Sequence, residues 1–132
     1  MKARNDQELC EFWTEGSHHG ERFAACVTGV IDSERQIGYY RHHGRENRTP
    51  VYYAVDLTTG IAITNLYWGG PQKKGWEKLK ILADEKWEEI KEFQSGPYYN
   101  LLQSLFQRKV QHAEYLEQAM FAEIEKGRKT NG

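Results

Sequence analysis

The residues best suited to recognition chemistry lie together in residues 39–48, Tyr-Tyr-Arg-His-His-Gly-Arg-Glu-Asn-Arg. Arginine side chains present forked donors that hold phosphate or carboxylate groups, and tyrosine rings can stack on bases. The segment lacks the Gly-Phe pattern of RNA-binding sheets, so it also fits a half-buried strand followed by a solvated loop. The residue types suit an anionic ligand, which is either an acidic protein surface or a phosphate-bearing molecule such as a nucleic acid or nucleotide.

Histidine is the second candidate for chemistry, because neutral imidazole binds metals and carries protons near neutral pH. The five histidines form two adjacent pairs, 18–19 and 42–43, with His112 apart. Neighbouring residues on a strand point to opposite faces, so each pair offers one imidazole per face. No His-x-x-x-His or His-Glu-x-x-His spacing is present, so we expect no metal and interpret the histidines as solvated. A small enzyme using His42 or His43 as acid or base is the third hypothesis.

A glycine- and lysine-rich stretch, residues 69–75, precedes a predicted helix. Backbone N–H groups at a helix N-terminus can hold a phosphate. The stretch lacks P-loop spacing, and the chain has no Gly-x-Ser-x-Gly or Gly-x-Gly-x-x-Gly motif. We therefore expect no catalytic residue and no cofactor, and a plain strand-to-helix linker is the simpler interpretation.

Charge is unevenly distributed, although the formal net charge is only −1. Residues 35–80 hold eight basic residues against three acidic ones, and both flanking parts are acidic. In a simple meander, the loop that carries Arg45 and Arg48 lies at the same end of the sheet as the turn that carries Lys73 and Lys74. The predicted partner-binding rim consists of Tyr40, Arg41, Arg45, Arg48, Trp68, Lys73 and Lys74. A solubilising rim without a ligand is the alternative.

The sheet that positions these residues is predicted most clearly over residues 51–68, where β-branched and aromatic residues flank a turn. The turn is Asp56-Leu57-Thr58-Thr59-Gly60, in which Gly60 can adopt the positive φ that a hairpin needs. Two earlier strands are predicted over residues 22–31 and 36–42. Residues 6–14 are predicted as a short helix or an extended lead-in.

After Pro71 the hydrophobic period changes from two to 3.6 residues, which predicts a helix with Trp76 and Trp87 on its core face. A second helix is predicted from Tyr98 to about Lys126, and at ~1.5 Å per residue it is about 40 Å long. A sheet of this size cannot cover that length, so residues 113–124 should extend beyond it. The predicted oligomer interface, through which the chain forms a homodimer, consists of Leu116, Met120 and Ile124.

The chain of 132 residues suits one domain. We expect an α+β fold, with a four-stranded, mostly antiparallel sheet followed by two helices, the last one long, covering one face. The predicted parts are an N-terminal lead-in (1–20), the sheet (22–68), the two helices (71–127) and a disordered tail (128–132).

The two cysteines, Cys10 and Cys26, have no CxxC partner, and Cys26 lies in an apolar run that predicts a buried free thiol. Residues 1–8 carry no apolar run typical of a signal peptide, and no run approaches the ~20 apolar residues of a membrane span. These features predict a cytoplasmic protein with no membrane partner.

The strand–turn–strand–helix unit of residues 51–93 resembles modules of small phage and mobile-element proteins. The small size, the aromatic surface and the lack of a catalytic motif give the first hypothesis, a non-catalytic binding protein that acts by occluding a partner protein or assembly. An inhibitor of a host system encoded by a phage or mobile element is one instance. Steep salt dependence would distinguish the alternative, a nucleic-acid or nucleotide-binding module, because phosphate contacts weaken as salt rises.

Overall fold

The sheet is a five-stranded antiparallel meander followed by three helices. It is seen in a computed structural model that describes residues 9–42 and 49–131. The elements are β1 (Cys10–His18), β2 (Glu21–Asp32), β3 (Ile37–His42), β4 (Val51–Asp56), β5 (Ala62–Tyr67), α1 (Gln72–Glu85), α2 (Trp87–Gln94) and α3 (Tyr99–Asn131). Each strand pairs with its neighbours in sequence, in the order β1-β2-β3-β4-β5. The predicted α+β class, with a sheet followed by a long last helix, is confirmed.

The sheet has five strands rather than the predicted four, because β1 occupies the region predicted as a lead-in or short helix. It pairs with β2 along its whole length, from Cys10 opposite Gly29 to His18 opposite Glu21. A two-residue turn with positive φ at His19 (51°) and Gly20 (82°) joins the strands, as in a type I′ hairpin. Continuous pairing satisfies the β1 backbone better than an isolated helical turn would.

The structure has three helices where the sequence predicts two, because the first predicted helix is interrupted at Lys86. The Lys86 N–H is shared between the carbonyls of Leu82 and Ala83, at 3.2 Å each. Ala83 before the break and Ile90 after it both lie in the core. Helix α3 continues through Gly127 to Asn131, beyond its predicted end at Lys126. Within the described residues, no helix combines the length and apolar character needed to cross a bilayer.

The main core lies between one face of the sheet and the helices. Its buried residues are Ile37, Tyr39, Tyr52, Ala54, Leu79, Ala83 and Ile90. Trp76 and Trp87, predicted as core residues, pack against this cluster but stay half-buried. Helix α3 covers the β1–β2 part of the same face, where Lys109 Nζ lies 3.0 Å from Glu15 Oε2.

The opposite face of the sheet carries an aromatic cluster. Tyr40 stacks on Tyr53, with ring centroids 5.1 Å apart, and meets the edge of Phe12 at 6.1 Å. Phe12 lies against the backbone of Gly38, where an added Cβ would be 2.6 Å from its ring. The absence of a side chain at Gly38 thus lets Phe12 seat on the sheet.

The β4–β5 turn is held by a group that we call the Asp56 cluster: Asp56, Thr59, Gln94 and Tyr99. The Asp56 carboxylate is fully buried and accepts bonds from the Thr59 N–H (2.9 Å) and hydroxyl (2.8 Å). Gln94 Nε2 and the Tyr99 hydroxyl donate to it at 3.0 and 3.1 Å. Because Gln94 ends α2 and Tyr99 begins α3, one carboxylate joins the turn to both helices.

The β4–β5 turn also contacts β1, and Gln94 at the end of α2 contacts the β2–β3 turn. The Gly60 carbonyl accepts from the Glu15 N–H at 3.0 Å, and Gly60 has the predicted positive φ, at 70°. Gln94 Nε2 also donates to the Arg35 carbonyl at 3.0 Å. The Arg35 guanidinium pairs with Asp84 and lies 4.8 Å from the centroid of Trp87. Two turns of the sheet are thereby fixed to the α1–α2–α3 segment.

We predict that Asp56→Ala lowers the free energy of unfolding by about 3–5 kcal/mol. The substitution removes a charged acceptor and leaves buried donors on Thr59, Gln94 and Tyr99 without a partner. Urea denaturation measures the loss. The matched control is Asp84→Ala, whose carboxylate is 61% exposed and pairs only at the surface, so its cost should stay below about 1 kcal/mol. Equal costs for the two variants would contradict the role given to Asp56.

We predict that stability falls as the pH rises from about 10 to 12. Burial, reinforced by the Asp32 charge, raises the pKa of Tyr39 to about 12. Unfolded tyrosine ionises near pH ~10, so the unfolded state loses its proton first and stability declines above that pH. Tyr39→Phe should flatten part of this decline in denaturation curves, whereas exposed Tyr98→Phe should leave it unchanged. Identical slopes for both variants would contradict the prediction.

Candidate functional site

The predicted rim corresponds to the end of the sheet where β3 stops, β4 starts and β5 stops. His42 lies opposite Val51, and Val51 lies opposite Tyr67. The Trp68 N–H donates to the Pro50 carbonyl at 3.1 Å, which extends the pairing past β5. The register thus places the last residue of β3 and the last residue of β5 at the same end of the sheet.

We call the cationic and aromatic group at this end the basic end: Arg41, Trp68, Lys73, Lys74 and Lys78. Trp68 organises it, since its Nε1–H donates to the Pro71 carbonyl at 2.9 Å. Its ring lies against Gly70, where an added Cβ would be 2.7 Å away. This contact tightens the Gly69-Gly70-Pro71 turn and starts α1 directly beside β5.

Helix α1 approaches the sheet closely at Gly75. A Cβ there would lie 2.6 Å from Tyr52 Cζ and 2.9 Å from Trp68 Cδ1. Trp76 then meets the Tyr52 ring edge-on, with centroids 5.0 Å apart. The lysines of the first turns are held against the end of the sheet because residue 75 has no side chain.

Two cations lie over these rings. Lys78 Nζ is 4.8 Å from the Trp68 centroid, and Arg41 Cζ is 5.8 Å from the Tyr52 centroid. Each such contact stabilises by roughly 0.5–1 kcal/mol at exposed sites. The Arg41 Nε is buried and has no hydrogen-bond partner among the described residues. The aromatic rings hold both positive charges in place without neutralising them.

The N-terminus of α1 adds further positive potential. Pro71 provides no side-chain cap, and the first turn contains no acidic residue. The first intrahelical bond runs from the Gly75 N–H to the Pro71 carbonyl at 3.1 Å, so the preceding N–H groups have no partner within the helix. Lys73 and Lys74, both exposed, therefore stand at the positive end of the helix dipole.

The structure brings together only part of the predicted rim. Arg41 lies on the helix-covered face with Tyr52, whereas Tyr40 lies on the opposite face, stacked on Tyr53. Arg45 and Arg48 lie outside the described residues. Sequence reasoning missed Lys78, although its position one turn after Lys74 placed it on the same side of the helix.

The predicted oligomer-interface residues Leu116, Met120 and Ile124 are exposed on the distal half of α3. The proximal half of α3 also exposes two leucines, Leu101 and Leu105. Their mutual spacing of four residues, continued by three to Arg108, was the available signal that they form a different stripe.

The described residues offer three other features that could bind or react: metal-ligand side chains, a polar cleft and two cysteines. In the described part of the chain, no three His, Cys, Asp or Glu side chains are grouped as metal ligands would be. A polar cleft of about 510 Å³ between the β2–β3 turn and α1 contains the Arg35–Asp84 pair. No disulfide joins Cys10 and Cys26, and Cys26, predicted as buried, is exposed with its Sγ 3.6 Å from Glu11 Oε2.

Comparison with known proteins gives no functional lead: no family model, curated protein or solved structure matches this chain.

We predict that Gly75→Ala destabilises the fold by about 1–3 kcal/mol, although alanine favours helices, because its methyl group would overlap Tyr52 and Trp68. Gly127→Ala is the matched control, since nothing lies within 4 Å of a Cβ there. It should stabilise α3 by up to about 1 kcal/mol. Urea denaturation measures both changes, and a stabilised Gly75→Ala would show that the close approach is not required.

Proposed function

We propose that the protein is a non-catalytic, cytoplasmic binding protein that covers an acidic surface of a partner protein with its basic end. An inhibitor encoded by a phage or mobile element and acting by occlusion would be one instance. The observation that carries the proposal is the concentration of ordered cations, with few acidic neighbours, around the start of α1. The lack of a disulfide between Cys10 and Cys26 is consistent with a reducing compartment.

The sign of the charges at the start of α1 supports a binding role. Positive residues in a first helical turn oppose the helix dipole, at a cost of about 0.3–1 kcal/mol each. Lys73 and Lys74 occupy that turn, with no acidic residue to offset them. A sequence shaped by stability alone would favour acidic residues there, so the lysines are better explained by an anionic partner.

The aromatic residues favour a protein partner over a base-stacking ligand. Trp68 presents its ring to Lys78, and Tyr52 presents its ring to Arg41. Tyr40 and Tyr53 stack on each other, with 16° between their planes. Tyr52 is also buried, and each of the other rings has one face covered within the protein, which reduces the aromatic surface on which bases could stack.

The test uses Lys73→Glu/Lys74→Glu in the full chain, with two probes: a polyglutamate peptide and a single-stranded oligonucleotide of equal charge. Fluorescence anisotropy over a salt series gives both affinities. We expect the wild type to bind the peptide and the variant to lose that binding. The variant should also be more stable in urea, by about 0.5–2 kcal/mol in total, because its charges now favour the dipole.

The matched control is Lys86→Glu/Lys126→Glu, which changes the net charge equally at exposed positions away from the start of α1. It should retain peptide binding. Unchanged peptide binding by the Lys73/Lys74 variant would exclude the basic end as the site. Tighter binding of the oligonucleotide than of the peptide would replace the proposal with phosphate recognition.

A further inference from the structure

Helix α3 carries a continuous stripe on the side turned away from its own sheet. Its members follow the alternating four- and three-residue spacing of a coiled-coil seam. We call it the outer stripe: Leu101, Leu105, Arg108, His112, Tyr115, Ala119 and Ala122. The opposite side of α3 holds the contacts with the domain, through buried Phe106 and the Lys109–Glu15 ion pair.

The outer stripe is exposed along its length. Leu101, Leu105 and Tyr115 are 57%, 42% and 66% exposed, and the two alanines and the central polar residues are exposed as well. Large apolar side chains at coiled-coil spacing on a solvent-facing helix indicate a partner helix.

We infer that the outer stripe pairs, in antiparallel orientation, with the same stripe of a second copy of this chain. A two-fold axis close to His112 places Leu105 opposite Ala119 of the second copy and Leu101 within one residue of Ala122. Each large residue then meets a small one, as close helix packing requires. The same register brings Arg108 within one residue of Tyr115, where the two side chains can form a cation–π pair.

A parallel arrangement fits the stripe poorly. It would place Arg108 beside Arg108 of the second copy, with repulsion between like charges. It would also pair leucine with leucine at one end and alanine with alanine at the other, which leaves gaps between the helices. Size and charge therefore both select the antiparallel second copy over a parallel one.

The antiparallel pairing also accounts for the length of α3. At 1.5 Å per residue, its 33 residues extend about 50 Å, beyond the strands that it covers. In the dimer, the distal half of each α3 lies beside the proximal half of the other. The leucines of each proximal half then lie beside Ala119 and Ala122 of the other copy.

The first test is the mass of the full chain by sedimentation equilibrium between about 1 and 100 µM, a range that reveals micromolar dimers. We expect the mass to rise from 15.5 kDa towards twice that value. Leu101→Glu/Leu105→Glu should remain monomeric with an unchanged circular dichroism spectrum. The matched control, Met120→Glu/Ile124→Glu, adds the same charges to exposed residues outside the outer stripe and should still dimerise.

The second test fixes the orientation by oxidative cross-linking in a Cys10→Ser/Cys26→Ser background. His112→Cys should form a disulfide-linked homodimer, because the two-fold axis brings it to its own copy. Leu101→Cys should not link to itself but should link to Ala122→Cys when the two proteins are mixed. This test does not use the lysines, so it is unaffected by what the basic end binds.

Three results would overturn the pairing. The first is a wild-type chain that stays monomeric at the highest concentration. The second is a dimer that survives Leu101→Glu/Leu105→Glu but is lost in Met120→Glu/Ile124→Glu, which would move the interface to the predicted residues. The third is self-linking of Leu101→Cys, which would show a parallel arrangement.

Discussion

The fold depends on one buried carboxylate. Asp56 ends β4, and its two oxygens receive donors from the turn that follows, from the last residue of α2 and from the first residue of α3. A buried carboxylate is tolerated only when such donors replace water. The requirement runs both ways, because the Gln94 amide and Tyr99 hydroxyl need an acceptor. The helices therefore have one position on the sheet in which these groups are all satisfied.

The basic end lies at the end of the sheet opposite to Asp56, and other contacts position it. The meander register sets where β3 and β5 stop, and Gly75 sets how closely α1 approaches them. The lysines thus project from a helix that packing, rather than capping, holds in place. A first turn of unfavourable charge can persist there because the helix gains its stability from Leu79 and Ala83 in the core.

Local chemistry determined how much could be predicted from the sequence. The β4–β5 hairpin could be predicted because its turn needs a residue able to adopt positive φ, and Gly60 is such a residue. That β3 and β5 stop at the same end of the sheet followed from the order of a meander. Phe12 and Trp13 led to the prediction of a short helix over residues 6–14, because their spacing fits a helix face as well as a strand. The break at Lys86 has no glycine or proline beside it, so no residue type in the sequence marks it. The same strand alternation that places Arg41 with Tyr39 also places Tyr40 on the other face, so Tyr40 should not have been grouped with Arg41.

The meander order also bears on how the chain folds. Every strand pairs with its sequence neighbour, so each hairpin can close over a short loop at small entropic cost. Such local pairing favours fast folding for a sheet protein. The bonds of Gln94 and Tyr99 to Asp56 span about forty residues and need both helices in place. Docking of the α2–α3 junction onto a preformed hairpin is therefore the step at which the native arrangement of sheet and helices is selected over other compact arrangements.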